Sequence, residues 1–82
     1  MITTLQGLDV VITGTLSKMT RETAFMRIRM EGGYPHKKIS CNTAVLVVGK
    51  LPYWETHKIS FSNENYIDTI SENEFYEMIG VN

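Results

Sequence analysis

The chain has one cysteine among its 82 residues, Cys41. That excludes an internal disulfide and a cysteine-built metal cluster, and it points to a reducing, intracellular setting. Long apolar runs are absent as well. The longest near the N-terminus is Val10–Ile12, far short of the about 20 residues of a membrane span or the about 7–15 of a signal-peptide core. No membrane partner is expected. With two prolines, six glycines, 43% hydrophobic residues and no low-complexity tract, the composition is that of an ordered globular chain. Basic residues stop at Lys58. Residues 1–58 carry all eight Lys and Arg against four acids, a balance of +4, while residues 59–82 carry five acids and no base, a balance of −5. A domain of near-zero net charge does not coat nucleic acid indiscriminately, but a basic flank can receive one anionic group.

Eighty-two residues with no repeat and no linker-like stretch make one domain, residues 1–82. A core of this size holds only about 3–5 kcal/mol in reserve and leaves little room for a deep active site. Leu8-Asp9-Val10-Val11-Ile12 is short and β-branched, as in a strand buried on both faces of a parallel sheet, and ends at the turn signal Thr13-Gly14. Thr20 is a good helix N-cap with Glu22 in the first turn; the helix runs to Glu31 and stops at Gly32-Gly33. Tyr34–Ile39 reads as a strand that Pro35 confines to a sheet edge. Ala44–Val48 is a second buried strand, and a short helix is expected after Pro52. Tyr66–Ile70 alternates like a strand, and Ser71 with Glu74 forms a capping box for a last helix. The order β-α-β-β-α-β-α implies an α/β domain with a mostly parallel sheet. Ala24, Ile28, Val45, Val47 and Phe75 are the expected core.

Taken in order, Leu5-x-Gly7-Leu8, Val11-Ile12-Thr13-Gly14-Thr15-Leu16, Met19-Thr20-Arg21-Glu22-x-Ala24, Ile28, Gly32-Gly33, Ser40, Thr43, Leu46-Val47-Val48-Gly49 and Ile67-x-Thr69-Ile70-Ser71-Glu72-x-Glu74-Phe75 resemble a BRCT domain. The similarity covers about residues 5–79. It is to the single-copy type of bacterial NAD-dependent DNA ligases, proofreading-exonuclease subunits and the clamp-loader large subunit. The resemblance implies a four-stranded parallel sheet flanked by three helices. It also implies a non-catalytic binding module of a DNA repair or replication protein, with no cofactor. Such modules read a phosphate, on the 5′ end of DNA or on a phosphoprotein, or contact other domains of a parent repair protein. The location implied is cytoplasmic and nucleoid-associated in a bacterium, nuclear in a eukaryote.

The residues themselves support a phosphate site. Thr13 ends the first strand, Gly14 lets a ligand approach the backbone, and Arg21 opens a helix whose positive end favours anions. A hydroxyl, an open N–H and a guanidinium suit phosphate oxygens. The alternative is that Thr13 closes a turn and Arg21 is solvated. The resemblance adds Lys58 as a fourth ligand, although Glu55 stands where the family has an earlier lysine. Lys18 and Lys50 are candidate contacts to a DNA backbone or solvated bases. Tyr53 and Trp54 either pack under a loop or stack on a base or partner side chain. Met26 and Met30, one turn apart, lie roughly opposite Ala24 and Ile28. They pack against the last helix or form a protein interface, with core packing the stronger expectation. His36, Cys41 and His57 match no metal spacing, and Gly49-Lys50 lacks the remainder of a P-loop.

Overall fold

A computed structural model describes residues 3–50, 62 and 65–81. Strands β1 (Asp9–Thr13), β2 (Tyr34–His36), β3 (Val45–Val48) and β4 (Asp68–Ser71) form one sheet in the order β2-β1-β3-β4. All its pairings are parallel. The two helices among the described residues are α1 (Arg21–Met30) and α2 (Glu72–Ile79). The expected α/β architecture and its four-stranded parallel sheet are present; the helix expected after Pro52 lies outside the described residues.

The continuous apolar character of β1 and β3 has a direct cause. Alternate residues of each strand supply opposite faces of the sheet. Val10, Ile12, Val45 and Val47 pack with Ala24 and Ile28 of α1 and with Phe75, Tyr76 and Ile79 of α2. Val11 and Leu46 point the other way and meet Ile67, Ile39 and Val48. Both helices therefore cover one face. All five residues expected in the core are fully buried.

Local signals place the ends of the elements. Thr20 caps α1 by accepting the Thr23 N–H. At the other end the Gly32 N–H bonds the Arg29 carbonyl and the Gly33 N–H bonds that of Ile28, with Gly32 at φ +82°. This paired bonding closes the last turn of α1 on itself. Ser71 and Glu74 form the reciprocal cap of α2, Ser71 Oγ accepting the Glu74 N–H at 3.1 Å.

β1 and β3 differ from expectation by no more than one residue at an end, and two strands differ by more. β2 stops at His36 rather than Ile39, because Ile39 turns under the sheet to join the smaller apolar cluster. β4 begins at Asp68, after Tyr66 takes up a left-handed turn conformation at φ 56°. At the β2 edge, the Tyr34 N–H bonds Leu8 of the neighbouring segment. The alternation of a parallel ladder then turns the nitrogen of Pro35 to the open side, where no N–H is available to a further strand.

Candidate anion-binding site

The central strands β1 and β3 are adjacent, and the chain leaves them in opposite directions, β1 toward β2 and β3 toward β4. In open parallel sheets the crevice beyond the carboxyl ends of such a strand pair is where ligands bind. Thr13 and Gly14 stand at that end of β1, and Gly49 and Lys50 at that end of β3. Thr13 is in register with Val48, and Val48 with Ser71, so three strands finish level with one another.

The two strand ends are tied together. The Gly49 N–H donates to the Thr13 carbonyl at 2.8 Å, and Thr15 and Lys50 exchange both backbone bonds at 2.9 Å. Glycine is required at position 49 by this contact, since a Cβ there would lie 2.6 Å from the Thr15 carbonyl oxygen. Gly14 has φ +82°, a conformation that side chains with a Cβ rarely adopt, and it turns the backbone away from the ladder. Thr13 is 3% exposed. Neither its hydroxyl nor the Gly14 N–H has a partner among the described residues.

Arg21 completes the group. From the first residue of α1 its Nη1 donates to the Ile12 carbonyl at 2.9 Å and its Nη2 to the Gly14 carbonyl at 3.0 Å. It is therefore not the freely solvated helix-start residue that was one of its two readings. The guanidinium is fixed beside the strand end, and its remaining N–H groups have no partner among the described residues. Arg21 is thus joined to the Gly14 turn, and Thr13, the residue before it, closes the same strand.

The other candidates divide. Lys50 is exposed and stands at the site through its bridge to Thr15. The Lys18 ammonium lies 5.2 Å from the centre of the Tyr76 ring, drawn toward α2. Lys58, Tyr53 and Trp54, with Glu55 and His57, lie outside the described residues. Core packing of Met26 and Met30 against the last helix is corrected, because they are 59% and 70% exposed. α1 buries only the Ala24 and Ile28 stripe, so no element among the described residues covers its opposite face. His36 pairs with Asp9 across the β1–β2 edge at 2.8 Å, and Cys41 is exposed.

One cluster escaped the sequence reading. Glu72, at the first position of α2, accepts the Ser17 N–H and the Ser17 hydroxyl, each at 2.5 Å, on Oε2. The Tyr76 hydroxyl donates to the same oxygen and accepts the Lys18 N–H at 3.0 Å. The Ser17 hydroxyl foremost, then the Tyr76 hydroxyl and the Ser17 N–H, hold the Glu72 carboxyl below its ordinary range, helped by the charge of Lys18 and opposed by slight burial. The only sequence signal was an acid in a first helical turn, which any helix N-terminus favours.

Among the described residues no helix is long and apolar enough to cross a membrane. No protein-family model matches the chain. It is 35% identical over 74 residues to a DNA ligase of Chlorobium phaeobacteroides and 37% identical over 75 residues to one of Carboxydothermus hydrogenoformans. To a DNA ligase of Aquifex aeolicus it is 39% identical over 75 residues. These matches take in 90–92% of this chain but 10–11% of each ligase. The chain spans about a tenth of the length of the curated relatives it matches, and so corresponds to one small region of DNA ligases.

Proposed function

We propose that the chain is a BRCT domain of a DNA ligase-like protein, without catalysis of its own, that reads a single phosphate, the 5′-phosphate of a DNA end. The observation that carries this reading is the Arg21 guanidinium fixed on the Gly14 carbonyl, at a strand end where the Gly14 N–H and the Thr13 hydroxyl have no partner among the described residues. A phosphate monoester offers oxygens enough for all three. The similarity to DNA ligases favours a DNA end over a phosphoprotein as the source of that phosphate. Lys50 is suited to the neighbouring backbone phosphate, and Lys58 remains the fourth ligand of the proposal. The intracellular, nucleoid-associated location belongs to the same reading.

Removing the hydroxyl alone tests the site. Thr13→Val keeps the shape and should weaken binding to a 5′-phosphorylated duplex by about 0.5–1.5 kcal/mol. The log–log salt slope of the wild type should be only about 1–3, as for few phosphate contacts. Unchanged affinity in Thr13→Val, or tighter capture of a phosphoserine peptide than of the duplex, would remove the DNA-end reading.

A second use of the domain is favoured by a separate observation, the exposure of Met26 and Met30 on the uncovered side of α1. Flexible, polarisable methionines suit an adaptable protein contact. That face would hold another domain of the parent protein without occupying the phosphate site.

A further inference from the structure

We propose that Glu72 is a positioning residue for the anion site. From the first turn of α2 it fixes the Ser17–Lys18 turn and, through it, the Gly14–Thr15 backbone that receives the anion. This rests on the phosphate reading above and adds the group that keeps the site in shape.

The segment between Thr13 and Arg21 carries the open Gly14 N–H and must hold its form without secondary structure of its own. Near its start it is tied by the Thr15–Lys50 bridge, and at its end by the Thr20 cap and the Arg21 side chain. Its middle is held from outside, by Glu72 and Tyr76. One carboxylate oxygen accepts both donors of Ser17 and the Tyr76 hydroxyl, and Tyr76 in turn takes the Lys18 N–H. Ser17 and Glu72 are 55 residues apart in the chain, so this tie exists only in the folded domain. An anchor of this kind acts by reducing the number of conformations the loop must give up on binding.

The charge of Glu72 would oppose an anion, but distance weakens that effect. Ser71 is in register with Val48 and Val48 with Thr13, so the α2 start lies two strand spacings away. That is about 10 Å, or roughly one screening length at physiological salt. The carboxylate also has three donors of its own turned toward it, which solvate its charge in place of water. The expected sign is therefore the reverse of simple repulsion, and removing this acceptor weakens anion binding.

The test compares wild type, Glu72→Ala and Glu72→Gln for binding to a short duplex with a 5′-phosphate and the same duplex with a 5′-hydroxyl. Amide exchange is measured alongside. Glu72→Ala should bind the phosphorylated duplex about tenfold more weakly, a usual size for coupling between separate groups. Binding of the hydroxyl-ended duplex should not change. The Ser17 and Lys18 amides should exchange faster, with Val11 and Val47 still protected, which separates a loosened loop from an unfolded domain. Glu72→Gln keeps an acceptor oxygen and should recover most of the affinity. Both variants binding as tightly as wild type, or more tightly, would overturn the proposal and leave the phosphate reading standing. If the wild type binds both ends equally, the phosphate reading and this inference fall together.

Discussion

The Arg21 guanidinium donates to the carbonyl oxygen of Gly14 at 3.0 Å, so the first side chain of α1 reaches back to the turn from which α1 departs. Its second bond, to Ile12, lies inside the strand itself. One cation therefore closes off two carbonyl groups at the strand end and holds positive charge at the Gly14 turn. Lysine could supply the charge but not the fork.

Arg21→Ala should weaken binding to 5′-phosphorylated duplex by about 1.5–3 kcal/mol, the worth of a charge-assisted contact. It should also lower the melting temperature slightly, because two bonds to backbone are lost at an exposed position. Arg21→Lys should recover only part of either loss. Titration and thermal melts of both variants check this, and full recovery by lysine would show that the fork is not needed.

Gly49→Ala is expected to destabilise the domain by about 1–3 kcal/mol, as overpacking does. The new Cβ would sit 2.6 Å from a backbone oxygen, and backbone cannot swing aside as a side-chain tip can. Relief requires opening the Thr15–Lys50 bridge, so phosphate affinity should fall with stability. A melting curve like that of wild type would contradict the close approach.

Phe75→Ala should cost about 3–5 kcal/mol, because the ring is fully buried between α2 and the sheet. Against a reserve of similar size, the domain should be largely unfolded. Met26→Ala and Met30→Ala, at exposed positions, should each change stability by less than about 0.5 kcal/mol. Denaturant titration of the three variants separates the exposed face of α1 from the core.

The Glu72 carboxyl is held below the ordinary glutamate value of 4.5, so its folded pKa is depressed. Such a group adds stability that is present above the unfolded pKa and is lost as pH falls through the folded one. Wild type should be more stable than Glu72→Gln at neutral pH, and the difference should shrink below pH 4.5. Melts of both proteins at neutral and acid pH check this; a gap that widens in acid would reverse the sign.

Much of the frame was legible because its causes are local. The buried runs in β1 and β3, the Thr20 and Ser71 caps and the glycine stop after α1 each depend on residues within a few positions of one another. The meeting of Arg21 with Gly14 was legible for the same reason, both lying within one strand-turn-helix passage. The ties that shape the site were not legible. Ser17 meets Glu72 and Gly49 meets Thr15 only when strands far apart in sequence become neighbours. The methionines were misread because two apolar faces on a helix do not disclose which of them another element covers. Here α1 needs only Ala24 and Ile28 to seat it on the sheet.

The central claim is that this domain distinguishes a phosphate monoester at a DNA end, and the most direct measurement is the ratio of wild-type affinities for two duplexes differing only at the 5′ end. The 5′-phosphorylated duplex should bind about tenfold to a hundredfold more tightly than the 5′-hydroxyl one, as expected when charge-assisted contacts are gained. Equal binding of the two would contradict the account.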